Sequence, residues 1–343
     1  MNAAFLHGVG DIRISQIPAP QPKEDELLLR VRAVGICGSD LHCYVDGGTD
    51  GSDWGAPLIL GHEIAAEVVD DSAAVAGLPG LAAGSLVAVD PGRSCGDCEW
   101  CRRGHGNLCP DILFSGSPPD THGALCEYIT APLANLYAVP PGFSAAEAAI
   151  LELLGVAIHT LDLAAVRPGE TALVLGAGPL GLLLAQLSRH LGAGSVYVVD
   201  PLAYRCATAR ELGVDEVAGS HHAVAEWTNG RGVDVVLEAT NSASALQQAA
   251  AGVRIGGRLI LAGIPDNDHV SVGASLMRRK GLTLKVVRRM APGVYPRAIE
   301  LVRCGAINLQ RLATHSFSLQ QTAEAFELQA NHRDGVIKSV IEL

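Results

Sequence analysis

Thr171-Ala172-Leu173-Val174-Leu175-Gly176-Ala177-Gly178-Pro179-Leu180-Gly181 is the stretch on which the fold turns. Ala172–Leu175 reads as a buried strand, Gly176–Gly181 as a turn of GxGxxG form, and Leu180–Leu191 as an amphipathic helix. Each glycine has a physical reason. Gly176 permits the tight turn, Gly178 lets the backbone approach a pyrophosphate, and Gly181 permits close packing of helix on strand. The helix N-terminus then offers unpaired N–H groups and a positive dipole end to phosphates. A second strand, Val196–Val199, ends in Asp200. A carboxylate there suits the hydroxyls of an adenosine ribose and repels a 2′-phosphate, which predicts NAD over NADP. Arg205 is the neighbour able to meet a phosphate or the cofactor instead.

Beyond this turn the texture repeats. ATARELGV (207–214) has a helical pattern, and VDVVLEAT (233–240) and GRLILAGI (257–264) read as further strands. Strands alternating with helices predict a doubly wound parallel sheet. The first 150 residues differ. Short runs such as Glu26–Ala33, Ala65–Val69 and Leu86–Val89 are separated by Gly, Pro and Asp clusters, which predicts a β-rich domain. Ser144 with Glu147 three residues later forms a capping-box pattern at the head of a long apolar helix. A helix at Tyr295–Cys304 and a strand at Gly335–Ile341 close the chain. The expected organisation is an α/β chain of two domains: residues 1–154 with 291–343, and 155–290.

Composition narrows the function classes. The 343 residues are 48% hydrophobic and 18% charged, enough for sizeable cores and too apolar for disorder. Aromatics are 4%, so the cores must be built from Ala, Val, Leu and Ile. A net charge of −11 argues against a nucleic-acid partner, which requires a basic face. Apolar runs break before the ~18 residues of a membrane span, and the N-terminus lacks a basic start followed by an apolar run. The expectation is a cytoplasmic protein with no membrane partner.

Nine cysteines divide unevenly. Cys95, Cys98, Cys101 and Cys109 crowd into the loop 93–111, where four thiolates suit a closed, structural zinc site. An iron–sulfur cluster is the alternative. Arg93, Arg102 and Arg103 in this loop are offset by Asp97, Glu99 and Asp111, which fits a staple better than a nucleic-acid finger. Cys43, Cys126, Cys206 and Cys304 carry no motif and read as buried thiols. A second constellation is spread along the chain. Gly35-Ile36-Cys37-Gly38-Ser39-Asp40-Leu41-His42 holds a thiol, a hydroxyl, a carboxylate and an imidazole; Gly61-His62-Glu63 adds another imidazole and carboxylate; Glu152 lies within an apolar helix. A Cys–His–Glu set with an open position is what a catalytic zinc requires.

In this order GICGSDLH, GHE, the four-Cys loop, the Glu152 segment and GAGPLG resemble the zinc-dependent medium-chain dehydrogenases over almost the whole chain. Glu63 after His62, together with Glu152, resembles their polyol branch, the sorbitol and L-idonate 5-dehydrogenases. The resemblance implies a GroES-like catalytic domain and a Rossmann domain with the site in a cleft between them, two zinc ions per chain, NAD, and a homo-oligomer, tetramer or dimer. It implies that Cys37, His62, Glu63 and Glu152 surround the catalytic zinc, that Ser39 and His42 relay the alcohol proton, and that Asp40 orients His62. It further implies cofactor contacts from Leu180, Ala262, Gly263, Ile264 and Arg288, and oligomer contacts around Gly257–Gly263 and Asp266–Gly273.

Three positions depart from the branch pattern: Leu153 replaces a proline, Cys43 a tyrosine ahead of the acidic loop Asp46–Asp53, and Arg289 a tyrosine. With Glu152 and Arg288, Cys43 and Arg289 are the expected substrate contacts, and the paired arginines point to a hydroxylated acid such as a sugar acid. The expected reaction is reversible oxidation of a secondary alcohol of a polyol or sugar acid, with hydride transfer to NAD. The alternatives are a threonine dehydrogenase-like or other alcohol dehydrogenase, and a non-catalytic NAD- and zinc-binding protein.

Overall fold

The computed structural model describes residues 1–48, 57–69, 80–117, 121–266 and 269–343. Part of the acidic loop Asp46–Asp53 and part of Asp266–Gly273 lie outside the described residues. The chain divides into two compact units: Met1–Leu153 with Tyr295–Ile299 and Ala313–Leu343, and Leu154–Val294 with Glu300–Leu312.

The second unit is built on six parallel strands: β1 (Thr171–Leu175), β2 (Ser195–Val199), β3 (Glu216–Ala218), β4 (Val233–Glu238), β5 (Val253–Leu261) and β6 (Thr283–Val286). Their spatial order is β3-β2-β1-β4-β5-β6, the order of a doubly wound Rossmann sheet, which reverses direction between β1 and β4. β4 is buried along its whole length, and Leu173, Leu175, Val236, Leu259 and Leu261 form a core with the helix residues Leu246, Ala249 and Ala250. Aliphatic residues dominate this core, with Tyr197 beside Trp227 at its margin, as the scarcity of aromatics leads one to expect.

The first unit is β-rich. Its largest sheet runs in the order Leu136–Ala138, Leu86–Val89, Glu63–Val68, Glu26–Gly35, Lys338–Glu342, Ala313–Ser318, with Tyr128–Pro132 also paired to Glu26–Gly35. Gly35 lies opposite Glu63 on one side and Val340 on the other. This register matters because cross-strand partners share a face of the sheet.

The helix Ala145–Ala164 starts at the capping box read from the sequence. Ser144 N donates to Glu147 Oε2 (2.8 Å) and Glu147 N to Ser144 Oγ (3.2 Å). Leu153 keeps its N–H, and the helix runs unbroken through it.

Two expectations are corrected. Glu300–Leu312, like Leu154 and residues 291–294, groups with the parallel-sheet unit rather than with the rest of the tail. Side-chain ties account for this: Asn308 N donates to Gln186 Oε1 (2.7 Å), and Arg311 pairs with Glu211 (3.3 Å). Cys304 is exposed, not buried, because it caps the C-terminus of the helix Tyr295–Arg303. Cys43, Cys126 and Cys206 are buried thiols.

Removing the cap tests the helix that carries Glu152. Ser144→Ala should lower stability by about 1 kcal/mol in urea titration; an unchanged midpoint would show that the cap contributes nothing.

Candidate active site and metal centres

Cys37 is both the end of one element and the start of another. It follows the strand Glu26–Gly35 and is the N-cap of the helix Gly38–Asp46. Asp40 is the N3 residue of that helix, so its carboxylate reaches back, and its Oδ2 accepts a hydrogen bond from Cys37 N (2.9 Å). The other oxygen accepts from Gly61 N (3.3 Å) and lies 3.5 Å from His62 Nδ1. Gly61 has φ of +96°, a turn that a side chain would strain, and it delivers His62 and Glu63 to the start of their strand.

The donor atoms of Cys37, His62 and Glu63 lie within 4.8 Å of one another. His62 is 6% exposed and Glu63 0%. Glu63 Oε1 accepts from Lys338 Nζ (2.7 Å), whereas Glu63 Oε2 is buried and makes no hydrogen bond. A half-buried thiol beside a buried imidazole and a buried carboxylate, with one carboxylate oxygen orphaned, fits a divalent cation of the zinc type. The set also leaves a coordination position open. Glu152, 3% exposed on its helix, is not in this group of three, although it feels the charges of His62, Glu63, Lys338 and Asp90.

Electrostatics separates these groups. Burial alone would raise the Asp40 carboxyl, but His62 and the N–H donors of Cys37 and Gly61 hold it below the usual carboxylate range. Burial alone would lower His62, but Asp40 and the Cys37 thiol hold it well above the ordinary histidine range. Burial pushes Glu152 up to about 8, with Glu63 and Asp90 adding to the rise and His62 and Lys338 opposing it. Asp90 is raised to about 6 by burial, against the hydrogen bond that it accepts from Gly92 N (2.9 Å).

Ser39 and His42 lie on the helix that Cys37 caps. His42 is buried, with Nδ1 3.3 Å from Asp46 Oδ2. Cys43 packs at 7% exposure in the apolar core with Tyr44 and Phe326, on the inward face of this helix. Core packing there accounts for its burial.

The four-Cys loop forms its own cluster. Cys95 Sγ lies 3.5 Å from Cys109 Sγ and 3.9 Å from Cys101 Sγ, close to the roughly 3.8 Å separation of thiolates on a tetrahedral zinc with Zn–S near 2.3 Å. The thiols are unbridged. The N–H groups of Asp97 and Cys98 lower the Cys95 thiol to about 7, and Cys98 N lies 3.3 Å from its sulfur. Arg102 pairs with Asp97 (2.7 Å), Arg103 with Glu99 (3.0 Å), and Arg93 with Glu26 (3.0 Å), so the loop's cations are spent locally.

In the other unit the glycine turn joins β1 to the helix Pro179–His190, with Gly178 as its N-cap. Gly176 has φ of +92°, and a Cβ there would meet Ala239 O at 2.7 Å; a Cβ on Gly181 would meet Gly176 O at 1.8 Å. Gly178 is open, with only Arg205 near its face, at 3.7 Å. That fits a cradle for a pyrophosphate. Asp200 is 2% exposed; its Oδ2 accepts from Ala177 N (2.7 Å) and its Oδ1 from Leu202 N (2.8 Å). Arg205 stands 3.8 Å from Asp200. Leu180 lies in the first turn of the helix. Ala262 and Gly263 follow β5 and donate to Glu238 O at 2.9 and 3.1 Å, and Ile264 is exposed. Arg288 and Arg289 follow β6; Arg288 is exposed and Arg289 adopts φ of +54°. Sequence reasoning missed Lys338, Asp90 and Gln329. A lysine in the apolar strand KSVIE was the available signal for Lys338.

Two domain families match the chain: "Alcohol dehydrogenase GroES-like domain" over residues 23–141 and "Zinc-binding dehydrogenase" over 179–303. Sorbitol dehydrogenase of Bacillus subtilis (strain 168) is 34% identical over 99% of this chain and 97% of its own. A zinc-binding dehydrogenase of Sinorhizobium meliloti 1021, solved with NADP, is 28% identical with TM-score 0.89, covering 100% of this chain and 99% of its own. An alcohol dehydrogenase of Escherichia coli CFT073, solved with NADH, is 26% identical with TM-score 0.89 over the same shares. Fold and donor sets together define a zinc-dependent alcohol oxidoreductase. The chain belongs to the zinc-dependent medium-chain dehydrogenase family, in its polyol branch.

The buried carboxylate Asp90 provides a pH test. Its folded pKa of about 6 lies above the usual carboxylate value, so ionisation costs stability as pH rises from about 4 through 6. Asp90→Asn keeps an acceptor for Gly92 N and should raise stability at pH 8 by on the order of 2 kcal/mol, with little gain at pH 4. Thermal melts at the two pH values measure this; an equal gap at both would refute it.

Proposed function

We infer that the protein oxidises a secondary alcohol of a polyol or sugar acid reversibly to the ketone, with NAD as hydride acceptor. The observation that carries this reading is the convergence of Cys37, His62 and Glu63, the last two buried, with donor atoms within 4.8 Å of one another. Support comes from the open glycine turn backed by Asp200 and from kinship with sorbitol dehydrogenases.

Cys37, His62 and Glu63 would hold the catalytic zinc, with Glu152 as a further carboxylate of its surroundings, and Cys95, Cys98, Cys101 and Cys109 a structural zinc. Bound metal supplies the Lewis acidity that lowers the pKa of an alcohol hydroxyl, and bound nicotinamide accepts the hydride. Asp40 fixes the His62 ring through Nδ1 and so leaves Nε2 for the metal. Ser39 takes the hydroxyl proton and passes it to His42. Asp46 beside His42 Nδ1 favours the tautomer whose Nε2 receives that proton. Gly178 gives the pyrophosphate its approach, Asp200 receives the ribose hydroxyls, and Arg205 flanks the turn. Leu180, Ala262, Gly263 and Ile264 would line the cofactor, with Arg288 at its nicotinamide end. NAD is preferred because Asp200 already offsets the charge of Arg205 and its carboxylate repels a 2′-phosphate. Arg288 and Arg289 would receive a substrate carboxylate; with Cys43 packed in the core, the acid reading rests on these two.

Steady-state kinetics on zinc-loaded protein with sugar alcohols, aldonic acids and L-threonine tests the reading. kcat/KM should favour NAD over NADP by about 10-fold or more, with turnover of polyols or sugar acids. Activity on L-threonine alone would move the protein to the amino-acid branch, and no turnover with cofactor and zinc bound would make it a binding protein. Cys37→Ser and His62→Ala should each cut kcat by about 100-fold or more while the far-UV spectrum stays unchanged. Full turnover in either would overturn the assignment.

A further inference from the structure

Lys338 is among the largest fully buried side chains, at 1% exposure. Lysine is almost never buried unless paired, because taking an ammonium out of water costs several kcal/mol. Its Nζ donates to Glu63 Oε1 (2.7 Å) and to Ile36 O (3.0 Å). It thus touches one donor residue directly and, through the peptide before Cys37, the backbone that carries a second. Gln329 Nε2 donates to the same Ile36 carbonyl (2.9 Å), and Ser339 N donates to Gln329 Oε1 (2.6 Å). Ile36 N in turn donates to Ser339 O (3.1 Å).

Room for this arrangement comes from a missing side chain. A Cβ on Gly35 would stand 2.2 Å from Glu63 Oε2 and 2.9 Å from Lys338 Cε. The strand register places Gly35 opposite both Glu63 and Val340, so the glycine sits beneath the ion pair. Gly35 lacks a positive φ, so its role is steric, not conformational.

We propose that Lys338 is a positioning residue of the Cys37–His62–Glu63 centre, holding one oxygen of Glu63 and the Ile36–Cys37 peptide in place, with Gly35 providing the space. One carboxylate oxygen is spent on the ammonium and the other stays uncommitted, so Glu63 serves as a fixed monodentate donor. The inference rests on the reading of that centre as a metal site.

Zinc release from the purified enzyme to a colorimetric chelator tests it. The wild-type chain should release two zinc ions in two phases, and Cys37→Ser should abolish one of them, which assigns that phase. Lys338→Met should speed the assigned phase by about 10- to 100-fold and leave the other unchanged. Gly35→Ala keeps both charges but intrudes on their space, and it should speed the same phase; it provides the test should Lys338→Met fail to fold. Release at the wild-type rate in a folded Lys338→Met or in Gly35→Ala overturns the proposal. A wild-type chain with a single zinc, or a Cys37→Ser variant that keeps both phases, overturns the underlying reading of the site.

Discussion

One buried carboxylate ties the Cys37–His62–Glu63 donor set to the fold. Asp40 spends one oxygen on Cys37 N and the other on Gly61 N and the edge of His62. Two segments that are far apart in sequence thereby converge on a group that is 2% exposed. An ionised carboxylate at that depth persists only because its acceptors are filled and a potential cation stands beside it. The same contacts that make Asp40 tolerable also bring the thiol and the imidazole to one place. Folding and site formation here are one constraint.

Around this anchor several buried charges influence one another. Glu152 feels His62, Glu63, Lys338 and Asp90, and Lys338 pairs with Glu63. Lys338 answers Glu63 directly, which leaves Glu152 and Asp90 displaced upward by burial. Carboxyls pushed towards their neutral forms by burial ionise more readily beside a bound divalent cation. The four-Cys loop solves a different problem. With few buried side chains and its arginines paired to neighbouring acids, it has little hydrophobic reason to be ordered, and its thiols already stand at metal-cluster separations.

Much of this was legible in the sequence because the relevant physics is local. The glycine turn, the capping box of Ser144 and Glu147, and the spacing of the four cysteines each declare themselves within a few residues. The Rossmann sheet followed from strands alternating with helices. What escaped was set by long-range register. Nothing near Lys338 announces that its ammonium reaches Glu63, 275 positions away. Gly35 reads as one letter of a motif until the strands on either side show what its missing Cβ would strike. Cys43 was read through the residue it replaces, whereas its helix turns that position into the apolar core. The segment Glu300–Leu312 crossed the expected boundary because side-chain ties, not chain order, decide which unit a tail joins.

The path of the chain adds a consequence. The first unit is discontinuous, and its last strand, Lys338–Glu342, inserts between Glu26–Gly35 and Ala313–Ser318. Lys338 arrives with that strand, so the ammonium that offsets Glu63 enters only when that strand docks. Until then Glu63 cannot be desolvated cheaply, because buried charge without its partner costs more than the burial returns. Contacts of such sequence separation are slow to form, since the entropy of loop closure is lost before the contact returns anything. The placement of Glu63 beside Cys37 and His62 and the docking of this strand are therefore coupled, because the strand carries the buried counter-charge of Glu63.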